Sequence, residues 1–253
     1  MNKLFPLILL PLCGMASAED SSVPMMPDGS RDMYVGVALV SSQAAAAGEN
    51  RPVVLRPLLQ VEWSNGIFVS SRGVVGMNLS DTAGVEYGPL LAASNSRDPS
   101  DNRRLRGSHA IDGTLDAGGY FNYYLGHDTR LLSGLMYDSS AHGFRGDVGV
   151  QTSWSNLAAH HTFSLSAGVS LAGGAVMRER YEVFRAAGGV RDYTPSGGVA
   201  AVNAGINWNW SLSSKWLLTS AATATRLGSQ PAGSPVVERR NFITLSSGLA
   251  YRF

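Results

Sequence analysis

Cysteine is nearly absent from this chain. Its 253 residues include one, Cys13, and that one lies in a segment read below as an export signal. A mature chain without it has no thiol, which excludes disulfides, thiolate metal sites and cysteine nucleophiles. Lysine is almost as scarce, with only Lys3 and Lys215. Neither sign of charge is in excess: 20 basic residues stand against 19 acidic ones, a formal net charge of +1. Loss of Lys3 brings it to zero, so nothing electrostatic argues for nucleic acid. After residue 18 no apolar run approaches the ~20 residues that a membrane helix requires. If the chain is integral to a membrane, it has to be a closed barrel, the other structure that satisfies its backbone in lipid.

The beginning of the chain points to export. A short positive start, Met1-Asn2-Lys3, precedes the apolar run Leu4 to Leu12, and Ala16-Ser17-Ala18 supplies the small-x-small pattern of signal cleavage. Pro6 and Pro11 argue against a buried helix. A lipoprotein acylated at Cys13 is disfavoured by the bulky Leu10-Pro11-Leu12 before it. Residues 1–18 are therefore expected to be a signal peptide cleaved after Ala18. Residues 19–31, with Pro24 and Pro27, are expected to be an irregular periplasmic lead-in, and 32–253 a single domain.

What is present is alternation. Phe163, Leu165, Ala167, Val169 and Leu171 alternate with Ser164, Ser166, Gly168 and Ser170, and Val202, Ile206, Trp208 and Trp210 alternate with Asn203, Gly205, Asn207 and Asn209. Phe144, Val148, Val150 and Trp154 do so against Arg145, Asp147, Gln151 and Ser153. Strand side chains point alternately to two faces, so each segment has one apolar and one polar face. A soluble sandwich gives the same pattern with the apolar face inward. The segments, however, run near the ~9–11 residues of a membrane strand rather than the usual ~5–6. Aromatics such as Trp63, Trp154, Trp208, Trp216 and Phe242 gather near strand ends, as interfacial girdles do. In the last segment Ile243, Leu245, Leu249, Tyr251 and Phe253 share one face, and the chain stops on Tyr251-Arg252-Phe253. Tyr251 and Phe253 resemble a signal for outer-membrane insertion.

The expected fold is all-β: a transmembrane antiparallel up-and-down β-barrel in the outer membrane of a Gram-negative bacterium. The strands are read at 32–41, 52–63, 67–78, 85–93, 114–125, 129–138, 144–155, 162–175, 199–210, 215–226 and 242–253. That is eleven, whereas single-chain bacterial barrels have an even number. Twelve is the expectation and ten the alternative, with 94–113 as the suspected hiding place of a further strand. A periplasmic C-terminus puts the connectors 176–198 and 227–241 outside the cell and leaves the side of 94–113 open.

The motifs support a family resemblance over about 220 residues. Tyr34-Val35-Gly36 opens the first strand, and Arg56-Pro57-Leu58-Leu59 leads to Trp63-Ser64-Asn65-Gly66-Ile67-Phe68. Tyr87-Gly88-Pro89, Leu105-Arg106-Gly107, Ile111-Asp112 and Gly118-Gly119-Tyr120-Phe121 follow. Ser234-Pro235-Val236-Val237-Glu238 precedes the final Tyr251-Arg252-Phe253. As an ordered set these resemble the MltA-interacting protein (MipA)/OmpV family of outer-membrane proteins. The resemblance implies a non-catalytic barrel and a scaffold or adaptor role between the outer membrane and cell-wall enzymes. The partners it implies are a murein lytic transglycosylase and a bifunctional penicillin-binding protein. A narrow channel or porin, or a surface adhesin or antigen, are the alternatives. The Ala-rich run Ala44 to Ala47 departs from the polar first loop expected of the family.

Arg56, Glu62 and Arg72 fall on the polar faces of the second and third segments, and Asp116, Arg130, Asp138, Arg145, Asp147 and Arg252 on those of later ones. The preferred reading is a set of internal ion pairs filling a small barrel, because a buried charge needs a partner. The alternative is a charged constriction that selects ions. Arg178, Arg180, Tyr181, Phe184, Arg185, Arg191 and Tyr193 mix cations with aromatics in one loop. That loop either binds a protein partner or lipopolysaccharide phosphate, or folds over the barrel mouth. His127-Asp128 reads as a solvated turn rather than part of a catalytic triad. His160 and His161, adjacent on a strand, point to opposite faces and make no simple metal pair. No catalytic residue, cofactor or metal site is expected, and outer-membrane lipid and lipopolysaccharide are the expected surroundings.

Overall fold

The computed structural model describes residues 25–43, 53–71, 73–94, 96–101, 105, 108–184 and 192–253. Twelve antiparallel strands close into one barrel, each paired with its neighbours in chain order and the first with the last. They are β1 (Tyr34–Ser42), β2 (Val54–Glu62), β3 (Ile67–Ser70), β4 (Val74–Met77), β5 (Val85–Ala93) and β6 (Leu115–Tyr124). β7 (Thr129–Asp138), β8 (Gly143–Ala158), β9 (His161–Ala172), β10 (Gly198–Ser211), β11 (Trp216–Leu227) and β12 (Asn241–Arg252) complete it. Two short helices, α1 (Gly174–Tyr181) and α2 (Ser229–Ala232), lie in connectors. The β1–β12 seam runs from Tyr34 opposite Arg252 to Ser42 opposite Thr244, leaving no free sheet edge there.

The twelfth strand is not in 94–113. The described part of that stretch holds one 3-10 turn, Pro99–Asp101, and an isolated bridge between Arg97 and Ile111. The missing strand comes from 67–78, which folds back on itself as the hairpin β3–β4. Gly73, with φ +75°, supplies the left-handed residue that so tight a turn needs. Even parity then places 94–114 at the same end as 173–197 and 228–240, opposite the end that carries Tyr34 and Arg252.

The direction of each face decides the fold class. Outward apolar residues are widely exposed, as with Leu39 at 57%, Leu55 at 65% and Leu245 at 52%. Polar residues of the other parity are buried, among them Asp116, Asp138 and Asn209. A soluble domain inverts this arrangement; lipid outside and a polar interior satisfy it. The chain is an outer-membrane-type β-barrel. No helix among the described residues is long and apolar enough to cross a membrane, and the spanning elements are strands. Near the terminal end of β9 and β10, His161, Trp208 and Trp210 pack against one another with nearly parallel rings, with Phe163 alongside. These outward rings form part of an aromatic girdle.

Candidate functional site

The lumen is closed at the terminal end by the chain's own lead-in. Residues 25–31 of the expected lead-in have no regular structure and sit inside the barrel, while 19–24 lie outside the described residues. A turn forms at Met26–Ser30, where Gly29 N–H donates to the Met26 carbonyl (2.8 Å) and Met26 N–H to that of Ser30 (2.7 Å). Gly29 has φ +82°, and a Cβ there would lie 2.3 Å from Ser164 Oγ. Only glycine both takes that conformation and fits against β9.

Six strands hold this plug. Arg130 on β7 donates to the carbonyls of Met25 and of Met26, the latter at 2.8 Å. Tyr124 Oη on β6 accepts from Met25 N–H at 2.7 Å, and Gln151 on β8 donates to the Pro27 carbonyl at 3.1 Å. Asp28 is the most heavily bonded plug residue. Its carboxylate accepts from Asn209 on β10 (2.8 Å), Gln60 on β2 (2.9 Å), Tyr34 on β1 (3.1 Å) and the Ser30 hydroxyl (2.7 Å). Its carbonyl accepts from Asn207 at 3.0 Å. Buried polar groups need partners, and here wall and plug supply one another's.

Arg130 also anchors the wall. It lies 3.3 Å from Glu86 on β5 and donates to Gln151 Oε1 at 3.0 and 3.2 Å. Glu86 in turn accepts from Asn122 at 2.9 Å and Tyr124 at 2.7 Å. Below the plug, Arg252 pairs with Asp32 at 3.0 Å.

The other end is capped by three connectors. Leu105, Val183 and Val236 come from 94–114, 173–197 and 228–240, and they form a small buried core with Tyr181 and Val237 against it. Val183 bridges to both Ser108 and Tyr193. Tyr193 Oη donates to the Gln230 carbonyl at 2.6 Å, and Ser234 Oγ to the Tyr181 carbonyl at 2.6 Å. Arg97 donates to the Arg180 carbonyl at 2.8 Å. The cap is riveted to the wall by Arg180, 3.0 Å from Asp138 on β7, and by Met177 and Val176 of α1, both fully buried. Asp98 stands in the cap's first connector, and the Ser100 N–H and hydroxyl beside it hold its carboxyl below the usual range.

The residues singled out from sequence fall as follows. Glu62, Asp116, Arg130, Asp138, Arg145, Asp147 and Arg252 share the lumen face by register, and so does Arg56, which is exposed. Arg145 pairs with Asp116 at 2.9 Å, and Asp147 accepts from Ser170 at 2.5 Å. Arg72 lies outside the described residues, as do Arg185 and Arg191. Arg180, Tyr181 and Tyr193 are built into the cap. Phe184 is half exposed and meets His109 edge to face, while His109 Nε2 lies 3.2 Å from Glu182. Arg178 is exposed on α1. Tyr251 and Phe253 face outward. Sequence reading gave no site role to Gln60, Glu86, Gln151, Asn207, Asn209 or, above all, Asp28. All but Asp28 stand at lumen parity, a signal the alternation already carried.

Between plug and cap the wall is lined by small residues and leaves space. One cavity of about 240 Å³ is bordered by Ser164, Ser166, Gly205, Thr219, Thr223 and Ser246. Another, of about 190 Å³, is mostly apolar. Among the described residues no group of three or more His, Cys, Asp or Glu is placed to hold a metal.

A family model described as MltA-interacting protein MipA matches residues 35–253. No curated protein matches the chain significantly. Among solved structures, the NanC porin is similar at 9% identity, over 87% of this chain and 100% of that one, with a TM-score of 0.49. Neisserial surface protein A is similar at 10% identity over 87% and 97%, with a TM-score of 0.29. The Pseudomonas putida toluene transporter TodX is similar at 9% identity over 87% and 88%, with a TM-score of 0.35.

Proposed function

The chain belongs to the MltA-interacting protein MipA family, and from that premise we propose that it is a non-catalytic outer-membrane adaptor for cell-wall enzymes. The observation that carries this reading is a lumen crossed at one end by a bonded plug and bridged at the other by a cap with its own core. A barrel built in this way is suited to present surfaces rather than to pass solutes freely. With the termini in the periplasm, the plug end faces the cell wall. There Arg31, Trp63, Asn65, Ser80 and Asp81 border an open cleft of mixed charge and aromatic character, which suits a protein partner. The partners proposed are a murein lytic transglycosylase and a bifunctional penicillin-binding protein. The cap end faces outward, where exposed Arg178 and Phe184 meet lipopolysaccharide. Export by cleavage after Ala18 belongs to the same reading. Affinity capture from detergent-solubilised outer membranes tests it: both enzymes are expected with the barrel, and recovery of neither refutes it.

A plugged channel is the second reading, favoured by the Ser-, Thr- and Gly-lined space in mid-lumen. Planar-bilayer recordings distinguish the two. The adaptor shows no conductance steps, whereas a channel shows them once residues 25–31 are deleted.

A further inference from the structure

The barrel wall is not of even height. β3 and β4 have four residues each, while every other strand has nine or more. β2 pairs with β3 only from Gln60 to Glu62, and the hairpin closes with Ser70 opposite Val74. Above it, β2 continues for about four residues, or roughly 13 Å, with no strand along that edge among the described residues. By register the odd residues of β2 aim their backbone groups at this gap, as Trp63 does in donating to Ile67 at 2.8 Å. The sequence answers the problem twice. Leu59 N–H donates to Ser71 Oγ (2.7 Å), and Ser71 Oγ donates back to the Leu59 carbonyl (3.0 Å), so a hydroxyl stands in for the absent strand. The next position facing the gap is Pro57, which has no N–H to leave unpaired. Outward Leu55 and Val53, both more than half exposed, place this stretch at the level of the apolar belt.

Both mid-lumen cavities abut the tip of the short hairpin. Ser70 lines both, Ser71 and Leu58 line the polar one, and Val74 lines the apolar one. The cavity of about 190 Å³ takes most of its surface from apolar side chains, among them Met26, Phe68, Val74, Leu90, Tyr120 and Leu132, and is also lined by Glu62, Asn78, Asn122 and Gln151. Phe68 and Tyr120 meet edge to face at 5.6 Å. Glu86 and Arg130 at its floor are occupied by each other and by the wall, so they offer little to a polar ligand. A cavity of roughly 150 Å³ lined by aliphatic and aromatic side chains stays dry and takes up benzene. With the plug bonded across one end and the cap across the other, the low wall beside β2 gives this cavity an approach from the membrane side.

We propose that this cavity binds a small apolar molecule of single-ring size, which enters sideways from the membrane through the β2–β3 gap. The cavity shares Met26, Glu62 and Asn78 with the cleft at the plug end, so the test separates entry through the wall from entry past the plug and reads ligand occupancy rather than partner capture.

The test uses the full chain in lipid nanodiscs, with fluorobenzene as the probe and ¹⁹F NMR as the readout. A saturable resonance absent from empty nanodiscs is expected, and its absence overturns the proposal. Val74→Trp fills the cavity and is expected to weaken occupancy about tenfold or more. Leu90→Phe takes its place if that variant no longer shows heat-modifiable gel mobility. Unchanged occupancy in a folded variant means partition into lipid only and overturns the site. Entry is tested with Leu55→Cys carrying a bulky maleimide, made with Cys13→Ala. Slower probe exchange is expected; exchange left unchanged by this label but accelerated by deleting 25–31 places the entry at the plug and overturns the sideways route.

Discussion

Arg130 is the group on which the plug's closure turns, and its replacement has a calculable effect. Arg130→Met keeps much of the side chain's bulk and removes its five donors. Two of these go to the carbonyls of Met25 and Met26. A hydrogen bond from a charged donor is worth about 1.5–3 kcal/mol, so the pair holds the plug by at least about 3 kcal/mol. At 1.4 kcal/mol per factor of ten, the released fraction rises about 150-fold. The assay is thiol labelling at Met26→Cys, made with Cys13→Ala so that the new thiol is the only one. Residue 26 is 4% exposed in the closed state, so a membrane-impermeant maleimide reads release directly. The substitution also strands Glu86, and breaking a buried pair costs about 3–5 kcal/mol, which clouds a simple stability measurement. The double variant Arg130→Met/Glu86→Gln separates the two effects: heat-modifiable mobility recovers while labelling stays fast. A labelling rate within about twofold of the parent in both variants refutes the reasoning, because it means the other plug contacts suffice to hold it.

Three further outcomes follow from the same geometry. Gly29→Ala sets a Cβ 2.3 Å from Ser164 Oγ at φ +82° and is expected to expel the plug at a cost of about 1–3 kcal/mol, read as faster labelling at position 26 with the barrel intact; unchanged labelling contradicts the fit described for Gly29. Arg180→Ala removes the partner of Asp138, which is 1% exposed. It should loosen the cap and speed tryptic cleavage in 173–197 of detergent-purified protein, whereas equal cleavage rates imply that the buried core of Leu105, Val183 and Val236 holds the cap unaided. Deleting Phe253 should lower recovery in the outer-membrane fraction relative to the periplasm, and undiminished recovery removes the insertion role assigned to the terminal aromatic.

The strand faces were legible because a two-residue period survives any detail of packing: Leu165 and Ser166 cannot share a face. The missing strand was legible in principle, since Ser71-Arg72-Gly73 divides two apolar runs with a glycine-bearing turn. Alternation continues through the turn, however, and disguises two short strands as one long one. The lumen pairs were only half visible. Asp116 and Arg145 could be assigned to one face, but not to one another, because partner choice depends on barrel shear. The plug was invisible for a deeper reason. Asp28 finds Asn209 across 181 positions, and no local pattern in a proline-broken segment announces a fit that six strands assemble from afar.

The seam between β1 and β12 governs how the molecule can come into being. Asp32 and Arg252, 220 positions apart, clasp where the cylinder shuts, so the first strand waits for the last before either is satisfied. Contacts of such long range make folding slow, and an unclosed sheet with greasy side chains outward is open to aggregation meanwhile. A polypeptide of this kind needs shielding until its final strand arrives, and loss of β12 leaves a ribbon with two raw borders rather than a slightly shorter tube.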